Sequence, residues 1–127
     1  MGLLGGMMGN ASNISAEEAR KKLDSVVLDS EEIDLAFKLV RDTIVFTNKR
    51  LIVIDKQGMT GKKTTFQSLP YKSISRFTVE TSGHFDLDAE LKIYISSGAE
   101  PAVNLQFTKD KHIEAIQQAL ALAVLGA

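Results

Sequence analysis

Four side chains in the second half of the chain have the types and the spacing that chemistry would need: His84, Asp86, Asp88 and Glu90. Residues two apart share a face of an extended strand, so this set would line three carboxylates and an imidazole along one edge. Such a set could hold a divalent cation or work as a general acid/base pair. The same geometry argues against both uses. Successive members climb about 7 Å along a strand instead of converging, and a coordination sphere needs convergence. A solvated or interface face is the plainer reading, and no metal is expected.

A second candidate is Gly58-Met59-Thr60-Gly61-Lys62-Lys63-Thr64, which has the composition of a phosphate-cradling loop. That loop requires four residues between its glycines, then Lys and a hydroxyl residue, then a helix. Here two residues intervene and a strand-like run follows. A hairpin loop with solvated lysines is expected, with no nucleotide and no other cofactor. The chain contains no Cys and two His, which removes thiolate nucleophiles, disulfides and Cys-based zinc sites. The sequence therefore offers no catalytic set, and an enzyme is not expected.

The formal net charge is −1, whereas a nucleic-acid binder needs a basic surplus to neutralise phosphates. No nucleic-acid partner is expected. No run approaches the ~20 apolar residues that cross a bilayer. The opening MGLLGGMMGN lacks the charged and continuous apolar regions of a signal peptide, so a cytoplasmic location is expected.

The elements that must position these residues are mostly strands. Residues 1–13, rich in Gly and Met, read as a flexible arm, and residues 14–127 as one domain. Ser15-Ala16-Glu17-Glu18 is a capping box, predicting a short helix to about Leu23 with a thin stripe of Ala16, Ala19 and Leu23. Leu35, Phe37 and Leu39 then alternate with Asp34, Ala36 and Lys38, as in a strand with one buried face. Asp42-Thr43 is expected to turn the chain into a strand at residues 44–46. Thr47-Asn48-Lys49 should turn it again into Leu51, Ile52, Val53 and Ile54.

That last run is apolar on both faces, so each face needs a cover: the core on one, and a helix, the N-terminal arm or another subunit on the other. Further strands are predicted around residues 64–69, 74–80, 86–95 and 103–107. Pro70 marks an edge or a bend, and the uneven pattern after Ile74 suggests a bulge or mixed burial. Thr108 is placed to cap a final helix with a stripe of Ile113, Ile116, Leu120 and Val124. From Ala119 onward this helix is apolar almost all round.

Several short motifs resemble those of the bacterial pleckstrin-homology (PH-like) domain family: Phe46-Thr47-Asn48-Lys49-Arg50-Leu51-Ile52, Gln57-Gly58, Gly61-Lys62-Lys63, Pro70-Tyr71, Glu80-Thr81-Ser82-Gly83 and Asp86-Leu87-Asp88-Ala89-Glu90-Leu91. The resemblance spans about residues 34–107. It implies a mainly β fold with helices (α+β), a bent antiparallel barrel of about seven strands closed by a C-terminal helix, in addition to the short N-terminal helix. It also implies cyclic, ring-like homo-oligomers. The chain lacks the Trp typical of the C-terminal helix in eukaryotic pleckstrin-homology domains, and the first hairpin offers mainly Lys38 and Arg41 as cations. Inositol-lipid recognition is therefore not implied.

These readings converge on a non-enzymatic interaction module whose main partner is itself, with a protein or peptide segment as a further ligand along a sheet edge or helix groove. The candidate oligomer interface comprises Leu51, Ile52, Val53, Ile54, Lys62, Lys63, Asp86, Asp88, Glu90, Leu122 and Leu125. Its basic loop would face the acidic strand of a neighbouring copy. Tyr71, Phe77 and Phe85 are candidate ligand contacts. The alternative is a peripheral membrane module touching anionic lipid through Met59, Lys62 and Lys63. Two lysines supply about 2 kcal/mol at such a surface, which favours the first reading.

Overall fold

The computed structural model describes residues 14–39, 42–57, 63–81, 89–107 and 112–126. The chain divides into two compact units between Leu69 and Pro70, each built on its own sheet.

In the first unit, helix α1 (Ala16–Lys22) precedes strands β1 (Ile33–Lys38), β2 (Asp42–Thr47), β3 (Arg50–Gln57) and β4 (Lys63–Pro70), arranged in the order β1-β2-β3-β4. Ser15 caps α1 as its sequence predicts, its Oγ accepting from the Glu18 N–H at 3.1 Å. The apolar stripe runs differently from the expected one. Ala16 is exposed, and Ala19, Leu23 and Val27 are the buried residues, because a turn beyond the helix carries Val27 back over the sheet. The Val27 N–H donates to the Leu23 carbonyl at 2.9 Å in that turn.

The register of β1, β2 and β3 sorts their side chains onto two faces. Leu35, Phe46 and Leu51 lie side by side, as do Phe37, Ile44 and Val53. All six are buried, and the Phe37 and Phe46 rings meet edge to face at 6.3 Å. Ala36, Val45 and Ile52 form a row on the opposite face, where Ile54 also points. These four are buried as well, in a cluster with Ala19, Leu23 and Val27, flanked by Ile14, Val26 and Ile33. The one-faced burial expected for β1 is thus incomplete, since Ala36 is covered too. Asp42 and Thr43, expected to turn the chain, are already strand residues paired with Asp55 and Ile54.

The second unit opens with a single 3-10 turn at Tyr71–Ser73, followed by β5 (Ile74–Thr81), β6 (Ala89–Ile95), β7 (Val103–Phe107) and helix α2 (Ile113–Leu125). β5 pairs antiparallel with β6, and β6 with β7. The bulge read from the sequence is present as a register shift between Ile74 and Arg76. It moves the inward positions of β5 to Phe77 and Val79, opposite Ile93 and Leu91. Ala89, Leu91, Ile93, Val103, Leu105 and Phe107 are buried as the alternation predicts, whereas Ile95, at the end of its strand, is 36% exposed. α2 buries Ile116, Ala119 and Leu120. It begins after His112, which makes no side-chain capping bond, and Thr108, the expected cap, lies outside the described residues.

Seven strands are therefore present among the described residues, as two sheets instead of one continuous barrel sheet. No described helix is long and apolar enough to cross a membrane.

Candidate functional site

The motif Phe46-Thr47-Asn48-Lys49-Arg50 lies where β2 turns into β3, and it grips the segment that follows α1. Glu31 in that segment is buried, 1% exposed, and both of its carboxylate oxygens are occupied. Arg50 donates from Nε to Glu31 Oε2 and from Nη2 to Oε1, each at 2.9 Å. The Thr47 hydroxyl donates to Oε2 at 2.6 Å, and the Leu28 N–H to Oε1 at 3.1 Å. Arg50 also donates to the Val26 carbonyl at 2.8 Å and to Ser68 Oγ on β4 at 3.0 Å.

Neighbouring side chains complete this arrangement. The Asn48 side-chain carbonyl accepts from the Glu32 N–H at 2.8 Å, and the Asn48 N–H donates back to the Glu32 carbonyl at 2.9 Å. Thr47 Oγ1 accepts from the N–H groups of Lys49 and Arg50, satisfying the turn's own backbone. Arg20, on α1, donates to the carbonyls of Glu31 and Leu28 at 2.7 and 3.1 Å.

Burial by itself would raise the Glu31 pKa. Hydrogen bonds from Arg50, Thr47 and the Leu28 backbone, with the Arg50 charge, outweigh it and lower the pKa from 4.5 to about 2. A carboxylate so acidic and so fully engaged has no lone pair to offer a substrate or a metal. The chemistry of this cluster is attachment: it fastens residues 26–32 to the β2–β3 turn. Sequence reasoning missed Glu31 and Arg20, because Asp29-Ser30-Glu31-Glu32 reads as an ordinary solvated acidic run. The only available signal was Arg50, whose partner lies 19 residues earlier.

The sequence-derived interface residues fall into separate groups. Leu51, Ile52, Val53 and Ile54 are 0%, 0%, 4% and 6% exposed within a single chain. The second apolar face of β3 is covered by the chain's own residues 14–27, so these four are core positions and not surface for another copy. Lys63 is exposed at the start of β4. Glu90 is half-buried on β6, accepting from Gln106 Nε2 at 2.8 Å and pairing with Lys92 at 3.6 Å. Leu122 is half-buried and Leu125 is 76% exposed at the end of α2. Tyr71 and Phe77 are half-buried. Met59, Lys62, His84, Phe85, Asp86 and Asp88 lie outside the described residues.

The open surfaces are at sheet edges. In the first sheet, β1 and β4 are the outer strands. The β1 side receives the chain's own N-terminal segment, the Ile14 N–H donating to the Ala36 carbonyl at 3.4 Å. β4 is exposed along its length except at Gln67 and Leu69, and Phe66 on it is 44% exposed. In the second sheet, β5 is an outer strand with Ser75, Arg76, Thr78, Glu80 and Thr81 exposed. Arg76 stacks over the Tyr94 ring at 4.0 Å on that sheet.

Strands in antiparallel pairs, a short capped helix before them and a longer helix after them make a mainly β fold of the pleckstrin-homology type. The chain matches the bacterial PH domain family over residues 2–124. It is 60% identical over 121 residues to the uncharacterized protein YjqA of Bacillus subtilis (strain 168), a match covering 95% of this chain and 97% of that protein. Among solved structures, it is similar to a pleckstrin homology domain from Shewanella amazonensis SB2B, with a TM-score of 0.83 and 47% identity, covering 98% of this chain and 100% of that one. A DUF1696 family protein with a pleckstrin-homology domain from Shewanella loihica PV-4 gives a TM-score of 0.71 at 43% identity, covering 89% and 96%. The chain belongs to the bacterial PH domain family.

Proposed function

We propose that this chain is a non-enzymatic interaction module that assembles with further copies of itself through its open sheet edges. The observation that carries this reading is β4, an outer strand whose exposed residues include an aromatic ring at Phe66. An exposed edge presents unpaired N–H and C=O groups and is a template for another strand. A head-to-tail ring needs two different complementary patches on each copy, and β4 and β5, two of the four outer strands, offer such a pair.

Their charges favour this pairing. Lys63 begins β4 and Glu80 lies near the end of β5, both exposed. Antiparallel pairing of β4 from one copy with β5 of the next sets those ends together. Leu125 and Leu122 on α2 extend the candidate contact surface. The buried β3 residues do not contribute.

Light scattering across a dilution series tests the assembly, and charge reversal tests the pairing. Lys63→Glu and Glu80→Lys should each weaken the assembly, and the double reversal should restore it. A monomer at every concentration would remove the self-association reading and direct attention to a different protein segment on the same edge.

A further inference from the structure

We propose that residues 14–32 form a strap that opens as one body while the sheet beneath it stays folded, with Arg50 and Thr47 as the catch. The strap is stapled within itself. Arg20 holds the carbonyls of Leu28 and Glu31, the Leu28 N–H donates to Glu31 Oε1, and Val26 and Val27 both donate to the Leu23 carbonyl. These contacts stay intact if the whole segment lifts.

Its attachment to the sheet is of another kind. At one end, Arg50 and Thr47 reach Glu31 and Val26, and Asn48 pairs with Glu32. At the other, the Ile14 N–H reaches the Ala36 carbonyl over a long 3.4 Å. Between them lie the apolar contacts of Ala19, Leu23 and Val27. The strands below do not depend on the strap for their hydrogen bonds, because β1, β2 and β3 pair with one another. The seven-residue α1 is far shorter than the ~12–15 residues at which an isolated helix becomes marginally stable, so its order comes from docking.

The root of the strap is already irregular. A register shift interrupts the β1–β2 ladder between Ile33 and Leu35, where the strap joins the sheet. A ladder break at that point lets the segment swing without unzipping Ala36, Phe37 and Lys38 from β2. The open form bares Ala36, Val45, Ile52 and Ile54 as a continuous apolar face.

Hydrogen exchange on the full chain, resolved by segment, tests this device. Amides in residues 16–28 should share one opening rate and exchange at least about tenfold faster than those of residues 44–54, as a sub-global unit does. Glu31→Gln should accelerate the strap amides further, with those of residues 44–54 and 89–95 remaining the slower to exchange. Arg20→Met, which cuts the internal staple and leaves the catch, should split the strap amides into separate rates. The proposal is overturned if strap and sheet amides exchange together in the parent chain, or if the strap amides open independently there. It is also overturned if Glu31→Gln leaves the strap amides at the parent rate, which would place the catch elsewhere.

Discussion

Arg50 meets Glu31 at two points, Nε to Oε2 and Nη2 to Oε1, with 2.9 Å at each contact. The Glu31 side chain is fully buried and that of Arg50 is 23% exposed. This pair joins the turn of a hairpin to the segment that covers the back of that hairpin's sheet. Three polar residues of the family motif, Thr47, Asn48 and Arg50, thus bind the chain's own backbone and side chains.

Removing one partner leaves the other charge buried without compensation. Glu31→Gln and Arg50→Met should each lower unfolding stability by about 3–5 kcal/mol in denaturant titrations. The double variant should lose less than the sum of the two, because the orphaned charge disappears with its partner. Additive losses would mean that the pair is not coupled.

The lowered Glu31 pKa sets an acid limit. A carboxyl group at about 2 in the folded chain and near 4.5 when unfolded contributes stability that is fully present above 4.5. That contribution is lost as pH falls from 4.5 through about 2, since the unfolded chain takes up the proton first. The Glu31→Gln variant should show a shallower fall in melting temperature over this window. An unchanged slope would assign the acid sensitivity to other carboxylates.

Leu23 and Ile52 face each other's layer in the cluster beneath the strap, both 0% exposed. Leu23→Ala should destabilise by about 2–5 kcal/mol through lost burial and the cavity left behind. Leu28→Ser, on a side chain that is 55% exposed in the same segment, should change stability by no more than about 0.5 kcal/mol. Equal effects at the two positions would contradict the docked placement of the strap.

Phe66 is 44% exposed on an outer strand, so replacing it should cost the single chain little. Phe66→Lys should leave the thermal unfolding of the dilute chain within about 0.5 kcal/mol of the parent. The assembly measured by light scattering should weaken at least tenfold, about 1.4 kcal/mol, because a charge replaces an aromatic contact at the edge. Assembly that survives intact would move the interface away from β4.

Thr47 combines three roles at one hydroxyl. Thr47→Val removes the donor to Glu31 and the acceptor for the N–H groups of Lys49 and Arg50. A loss of about 1–3 kcal/mol is expected for the buried groups left unpaired. Thr47→Ser, which keeps the hydroxyl, should recover most of it.

Local pattern alone was enough for much of the chain. Alternation gives the inward residues of β6 and β7, Ser15 and Glu17-Glu18 give the start of α1, and the uneven run after Ile74 marks where the register shifts. These features rest on periods of two or on groups three residues apart, which neighbouring residues decide by themselves. The four-residue apolar run of β3 correctly required two covers, but nothing local could say that the second cover was residues 14–27 of the same chain. Glu31 likewise reads as solvated until the fold brings in Arg50 and Thr47. What only tertiary structure decided is which charges are taken out of water and which apolar face is left open. Both depend on partners far apart in sequence, and the chain must close on itself before either exists.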